Sequence, residues 1–185
     1  MFTVADGYVL SSAPTEDDAN APIYDVTSSG STGGQVTPIF YQLNDVFIPL
    51  YYYYKPANNN DDLKEEVALH NFTLYYDQAT DFNGSTMTLH LRHKIQDFDE
   101  EDNKERTSRA YEFRHFSLAA PLYAYKDVNG GKNPDKIVIE FEQNTYNAEY
   151  NENNVKSETY EIDYKTVVEN YNKLAGNTSG SEVTE

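Results

Sequence analysis

The 185 residues include no cysteine and no tryptophan. Without cysteine there is no disulfide framework, no thiolate-ligated zinc or iron–sulfur cluster, and no thiol nucleophile. Basic residues are scarce as well: 14 Lys and Arg stand against 31 Asp and Glu, a net charge of −17. A surface this acidic repels phosphate backbones, which argues against nucleic acid as a partner. No apolar run approaches the ~18–20 residues of a membrane-spanning helix. The first Lys or Arg is Lys55, so no basic stretch followed by an apolar one appears near Met1, as a secretory leader would need.

What the chain has in abundance is tyrosine, with 17 residues. Residues 1–35 are rich in Gly, Ser, Thr, Pro and Asp and read as a low-complexity arm or linker, clearest at Thr27–Gly34. Residues 175–185 read as a similar polar tail. Between them, residues 36–174 carry short segments of strand character. These are Val36–Leu43, Val46–Tyr54, Val67–Tyr76, Ser85–Lys94, Arg109–Leu118, Lys136–Gln143 and Ser157–Lys165. Alternation is cleanest where Met87, Leu89 and Leu91 oppose Thr86, Thr88, His90 and Arg92. Pro38 and Pro49 predict edges or bulges. Lys55–Asp62 and the Asp127–Gly131 stretch read as turns, and Asp97–Glu105 as a solvated acidic loop. Thr166–Leu174 has helical spacing, with Gly176 just beyond its end.

About seven short strands without long intervening helices predict an all-β fold, an antiparallel β-sandwich with a short C-terminal helix and a flexible N-terminal arm. A closed barrel satisfies the same alternation.

Several residue groups carry candidate chemistry. Consecutive tyrosines at 51–54 and 75–76 must point to opposite faces, so some lie outside the core. Exposed rings beside asparagines suit carbohydrate or protein recognition, and Tyr51, Tyr53 and Tyr75 are taken as candidate ligand contacts. All four arginines, Arg92, Arg106, Arg109 and Arg114, fall close together. Arg106 and Arg109 could hold an acidic ligand bidentately, or pair with the acidic loop between Arg92 and Arg109. Asp127, Asn129, Asn133 and Asp135 around Gly130-Gly131 form a candidate Ca²⁺ loop, or an ordinary polar connection. No other cofactor is expected. His70 and His90 could meet across neighbouring strands as half a metal site, or stand on a solvated face. No nucleophile elbow, phosphate loop or dinucleotide fingerprint is present, so no catalytic residue is assigned and an enzyme is not expected.

The segments Ala68-Leu69-His70-Asn71-Phe72-Thr73-Leu74 and Thr88-Leu89-His90-Leu91-Arg92-His93 are followed by an acidic loop and by Ala110-Tyr111-Glu112-Phe113. Lys136–Phe141 and Thr159-Tyr160-Glu161-Ile162-Asp163-Tyr164 come next. This order over roughly 46–165 resembles the C-terminal β-sandwich domain of NigD-like lipoproteins of Bacteroidota. The resemblance implies a sandwich without the N-terminal oligonucleotide/oligosaccharide-type barrel of the family. It implies a periplasmic or outer-membrane setting, and membrane contact only through a lipid anchor on a cysteine that this chain lacks. No activity carries over with it. The expected function is a non-enzymatic cell-envelope protein with an accessory or ligand-binding role, its partner a glycan or an envelope protein. A structural or assembly component of a virion, fibre or surface layer is the alternative.

Overall fold

A computed structural model describes residues 5–13, 19–29 and 35–178. The chain opens with β1 (Ala5–Asp6), β2 (Tyr8–Leu10), β3 (Ser28–Ser29), β4 (Gln35–Val36), β5 (Ile39–Gln42) and β6 (Asp45–Tyr54). Helix α1 (Asn60–Leu69) leads into β7 (His70–Tyr75), β8 (Phe82–Asn83) and β9 (Thr86–Ile95). Then come α2 (Glu100–Lys104), β10 (Ser108–Ser117), α3 (Ala119–Val128), β11 (Lys136–Gln143), β12 (Lys156–Asp163) and α4 (Tyr164–Thr178).

The all-β antiparallel expectation is overturned. The fold is mixed α/β, with two mixed main sheets and four helices among the described residues. One sheet has the order β1-β10-β6-β5, with β1 parallel to β10. The other has the order β12-β11-β9-β7-β2, with β8 also on β9. In it β11 runs parallel to β9 and β2 parallel to β7. A parallel pair needs a long crossover. The chain leaves β9, contributes β10 to the opposite sheet, turns through α3 and returns as β11.

The expected C-terminal helix is α4, but α1, α2 and α3 escaped the sequence reading because their ends look like turns. Asn59 caps α1, its side chain accepting from the Asp61 and Asp62 amides, and Asp61 and Asp62 occupy the first turn, where acids favour the helix dipole. Asp99 caps α2 within the acidic run in the same way. Gly130 and Gly131 take φ of 64° and 79° and end α3, with the Gly131 amide donating to the Lys126 carbonyl at 2.8 Å.

The two main sheets enclose one core. Val46, Ile48, Leu50 and Tyr52 of β6 face Phe72 and Leu74 of β7, Met87, Leu89 and Leu91 of β9, and Ile137 and Ile139 of β11. Residues from the expected N-terminal arm join them: Ile23 and Val26 are buried in this core. Isolated bridges tie Ala21 to His93, Ile23 to Gln143 and Asp25 to Tyr51. Residues 30–34 of the expected linker and 179–185 of the expected tail lie outside the described residues. Pro49 sits between the β5 pairing at Phe47 and the Asp25 bridge at Tyr51, where no partner asks for an amide hydrogen.

Candidate functional site

The inner faces of the two sheets are not wholly apolar. By alternation His70 shares a face with Phe72 and Leu74, and His93 shares one with Leu89 and Leu91. Glu112 and Arg114 likewise share a face with Phe116. All four point inward, and Glu66 reaches them from α1. The Arg106 guanidinium grips Glu66 with two hydrogen bonds, Nε to Oε1 at 2.8 Å and Nη2 to Oε2 at 3.2 Å. The Lys55 amide donates to Glu66 Oε1 at 3.0 Å. Beside them, Arg114 Nε donates to Glu112 Oε1 at 2.7 Å, and the Tyr52 hydroxyl donates to the same oxygen at 3.2 Å.

The histidines extend this network. His70 Nε2 lies 3.2 Å from Glu66 Oε1, and His70 Nδ1 lies 2.8 Å from His93 Nε2. His93 Nδ1 donates to the Pro22 carbonyl at 3.0 Å, since a carbonyl only accepts. His93 Nε2 must then accept from His70 Nδ1. Two neutral rings provide hydrogens for these two contacts, and the longer contact to Glu66 gains one only when His70 is protonated.

Burial lowers the His70 pKa by more than Glu66 raises it. Burial, and then the His70 charge, hold His93 well below 6.5. For Glu66, burial alone would push the carboxyl up. The His70 ring beside it, the Lys55 amide and the Arg106 guanidinium, with the Arg106 charge, together bring it down to about 2. Burial, followed by the Glu112 charge, drives the Tyr52 hydroxyl far above its ordinary range.

Arg106 also forms part of a cleft of about 750 Å³. The loop from Phe98 to Thr107 makes one wall, residues 146–151 make the other, and Tyr53 contributes from β6. The walls are tied together where the Asn103 Nδ2 donates to the Ala148 carbonyl at 3.0 Å. Buried Asn144 shapes the second loop. Its Nδ2 donates to Asn147 Oδ1 at 2.8 Å and to the Glu149 carbonyl at 2.9 Å, and its Oδ1 accepts from the Tyr146 amide at 2.9 Å. Tyr146 then stands 86% exposed at the rim, with Phe98 37% exposed.

Two polar atoms in this cleft's lining have no hydrogen-bond partner among the described residues: Arg106 Nη1 and Asn103 Oδ1. Arg106 is only 4% exposed and Asn103 7%. Both atoms are closed off from solvent, and a buried polar group left without a partner costs the fold about 1–3 kcal/mol.

The sequence-derived candidates divide. Tyr51, Tyr53 and Arg109 come together on the outer face of the four-stranded sheet, where Tyr53 opposes Arg109 and Tyr51 opposes Tyr111. Tyr24 packs over them, 6.1 Å from Tyr51 and 6.0 Å from Tyr53 between ring centroids, with the Arg109 guanidinium 4.7 Å from its own ring. Arg106 joins this group only through Tyr53, which the cleft shares. Tyr75 is on the other sheet, stacked on His90 at 4.8 Å and accepting from Arg92 Nη2 at 3.1 Å.

The arginines are neighbours in sequence but disperse to separate partners: Arg106 to Glu66, Arg114 to Glu112, Arg92 to Tyr75, and Arg109 to Tyr24. His70 meets His93 and not His90, which lies between Asp81 Oδ2 at 3.0 Å and Glu140 Oε1 at 3.2 Å.

Asp127 lies in the last turn of α3, and Asn129 follows it with its Nδ2 donating to the Tyr125 carbonyl at 3.0 Å. Asn133 and Asp135 are exposed beyond it, and the Asp135 amide donates to the Ser85 carbonyl at 2.8 Å. Among the described residues no three His, Asp or Glu side chains are grouped to hold a metal ion. Asn103, Phe98, Tyr146 and Tyr150, which line the cleft, were not identified from sequence.

No known family matches the chain, and no curated protein does. Among solved structures, the chain is similar to a Bacteroides fragilis protein provisionally named a lipoprotein. The two are 27% identical with a TM-score of 0.77, over 86% of this chain and 71% of that one. An uncharacterised protein of Parabacteroides merdae aligns over 86% of this chain and 67% of its own, at 9% identity and a TM-score of 0.45. Among the described residues no helix is long and apolar enough to cross a membrane. By sequence and by fold together, the chain resembles a Bacteroides lipoprotein of unknown function.

Proposed function

We propose that this chain is a non-enzymatic cell-envelope protein that binds a glycan in the cleft between residues 98–107 and 146–151. The observation that carries the reading is a cleft of about 750 Å³ walled by Tyr53, Phe98, Tyr146 and Tyr150. Its size falls within the range of about 300–1,000 Å³ common to small-ligand sites. Tyr146 and Phe98 offer flat apolar area at the rim, and Tyr53 and Tyr150 offer it within the lining.

The envelope setting is supported by the naming of the Bacteroides fragilis relative as a lipoprotein. The NigD-like order of segments from Ala68 to Tyr164 points the same way. Membrane attachment in this reading is through lipid, on the outer-membrane or periplasmic side. A glycan array with the purified chain tests the binding reading, with Tyr146→Ala as the control. Binding abolished by that variant supports it, and an array with no binder counts against it.

A further inference from the structure

We propose that the outer face of the four-stranded sheet is a second binding surface, for an oligosaccharide carrying carboxylate groups, held by the Arg109 guanidinium and by the rings beside it. This surface is separate from the cleft and does not depend on it.

The argument begins with the arginines. Arg106 is gripped by Glu66, Arg114 by Glu112, and Arg92 lies against Tyr75 and Glu142. Arg109 alone among them has no carboxylate partner and no hydrogen bond among the described residues; it is exposed, and its guanidinium lies 4.7 Å from the centre of the Tyr24 ring. A ring face holds the cation by its quadrupole but takes none of its N–H donors, so the fork stays open to a carboxylate. Asp25 forms a bridge with Tyr51, but its carboxylate is turned to the Thr27 amide at 3.0 Å and the Thr27 hydroxyl at 3.2 Å. The sequence-level reading of an acidic-ligand site therefore passes from Arg106, which folding has already provided with its carboxylate, to Arg109.

The rings set the shape of the ligand. Arg109, Tyr111 and Phe113 follow one another on the outward face of β10, and Tyr51 and Tyr53 lie opposite the first two on β6. Ring centroids are 4.9 Å apart from Tyr51 to Tyr111 and 5.6 Å from Tyr111 to Phe113, so the contacts run unbroken away from the cation. Four residues of strand span about 14 Å, more than one pyranose covers. A uronic-acid oligosaccharide matches both features, with C–H faces for the rings and a carboxylate for the fork.

Other occupants fit less well. A second copy of the chain would bring another −17 to a face with one open arginine. A peptide recognised through its main chain adds to a sheet edge, where backbone groups are on offer. Here it would lie across a sheet face, with its amides against rings that cannot pair with them.

The test is calorimetric titration of the intact chain with oligogalacturonates and oligoglucuronates of three to six residues, with their methyl esters, and with acidic peptides of matched charge. The expected result is binding of at least one uronate series, weakened about tenfold or more in its methyl ester and by Arg109→Gln, since a charge-assisted hydrogen bond is lost each time. Tyr111→Ala should weaken it as well, while Tyr146→Ala, which alters the cleft, should leave it unchanged. Melting temperatures of the three variants check that each is folded. Esters that bound as well as the acids, binding confined to the peptides, or no binding of any probe would overturn the proposal. So would uronate binding that Arg109→Gln left intact and Tyr146→Ala abolished, which would move the acidic sugar to the cleft.

Discussion

Replacing Glu66 by glutamine removes one charge from the centre of the buried network and changes little else in shape. The structure sets the cost. The carboxyl falls from 4.5 to about 2 because its hydrogen-bonding neighbours and the Arg106 charge outweigh its burial. At about 1.36 kcal/mol per pH unit, the ionised form stabilises the fold by about 3 kcal/mol relative to a neutral one. Breaking a buried ion pair from one side costs about 3–5 kcal/mol in other proteins, which agrees. Glu66→Gln should therefore lower stability at pH 7 by about 3 kcal/mol and the melting temperature by about 6–12 °C for a chain of this size.

The sign with pH is fixed as well. A lowered folded pKa gives stability that is complete above about 4.5 and is lost as the pH falls through about 2. The gap between wild type and Glu66→Gln should thus narrow to about 1.5 kcal/mol at pH 3. Urea denaturation of both proteins at pH 7 and pH 3 measures it. A gap below about 1 kcal/mol at pH 7, or one that did not narrow at pH 3, would refute the network as described.

Other outcomes follow from single contacts. A Cβ on Gly7 would lie 2.0 Å from Phe116 Cε1, inside the core, so Gly7→Ala should cost about 1–3 kcal/mol in chemical denaturation. Asn144→Ala leaves the amides of the 144–149 loop without their acceptor, and should both destabilise by about 1–3 kcal/mol and weaken ligand binding. His115 is held above 6.5 first by its hydrogen bond to Asp6, then by Asp45 against partial burial, so its stabilisation is full below pH 6.5 and is lost as the pH rises through its folded pKa. His115→Gln should accordingly cost more stability at pH 5.5 than at pH 9. His70 and His93 act with the opposite sign, since burial lowers both. Their NMR titrations should show neutral rings at pH 7, and the fold should weaken as the pH falls below 6.5.

The strand positions were legible because alternation is local: Met87, Leu89 and Leu91 are buried as their spacing predicts. The same spacing places His93 with them and His70 with Phe72, a signal of buried polar residues that was available in the sequence and passed over. On β10 the alternation misleads about direction. Tyr111 and Phe113 look like the core face, yet they lie outward opposite Tyr51 and Pro49, while Glu112 and Arg114 lie inward and satisfy one another. Which face of a strand is inner depends on partners that local pattern does not contain. The parallel pairing of β9 and β11 was hidden for the same reason, since its crossover passes through the opposite sheet. The helices α1 and α3 were hidden by their caps, because asparagine and paired glycines begin and end helices as readily as they make turns. The cleft could not be read at all. Asn103 and Ala148 meet only when the fold brings two loops together, and nothing in either segment announces the other.

The central claim is that ligand enters between the two loops. Titrating ¹⁵N-labelled protein with a neutral oligosaccharide and following its amide resonances tests this directly. The account predicts the largest shifts at residues 98–107 and 146–151, with the Arg106 side-chain signal among them. Shifts centred instead on Tyr51 and Tyr111 of the outer sheet face, or around Tyr75 and His90, would contradict it.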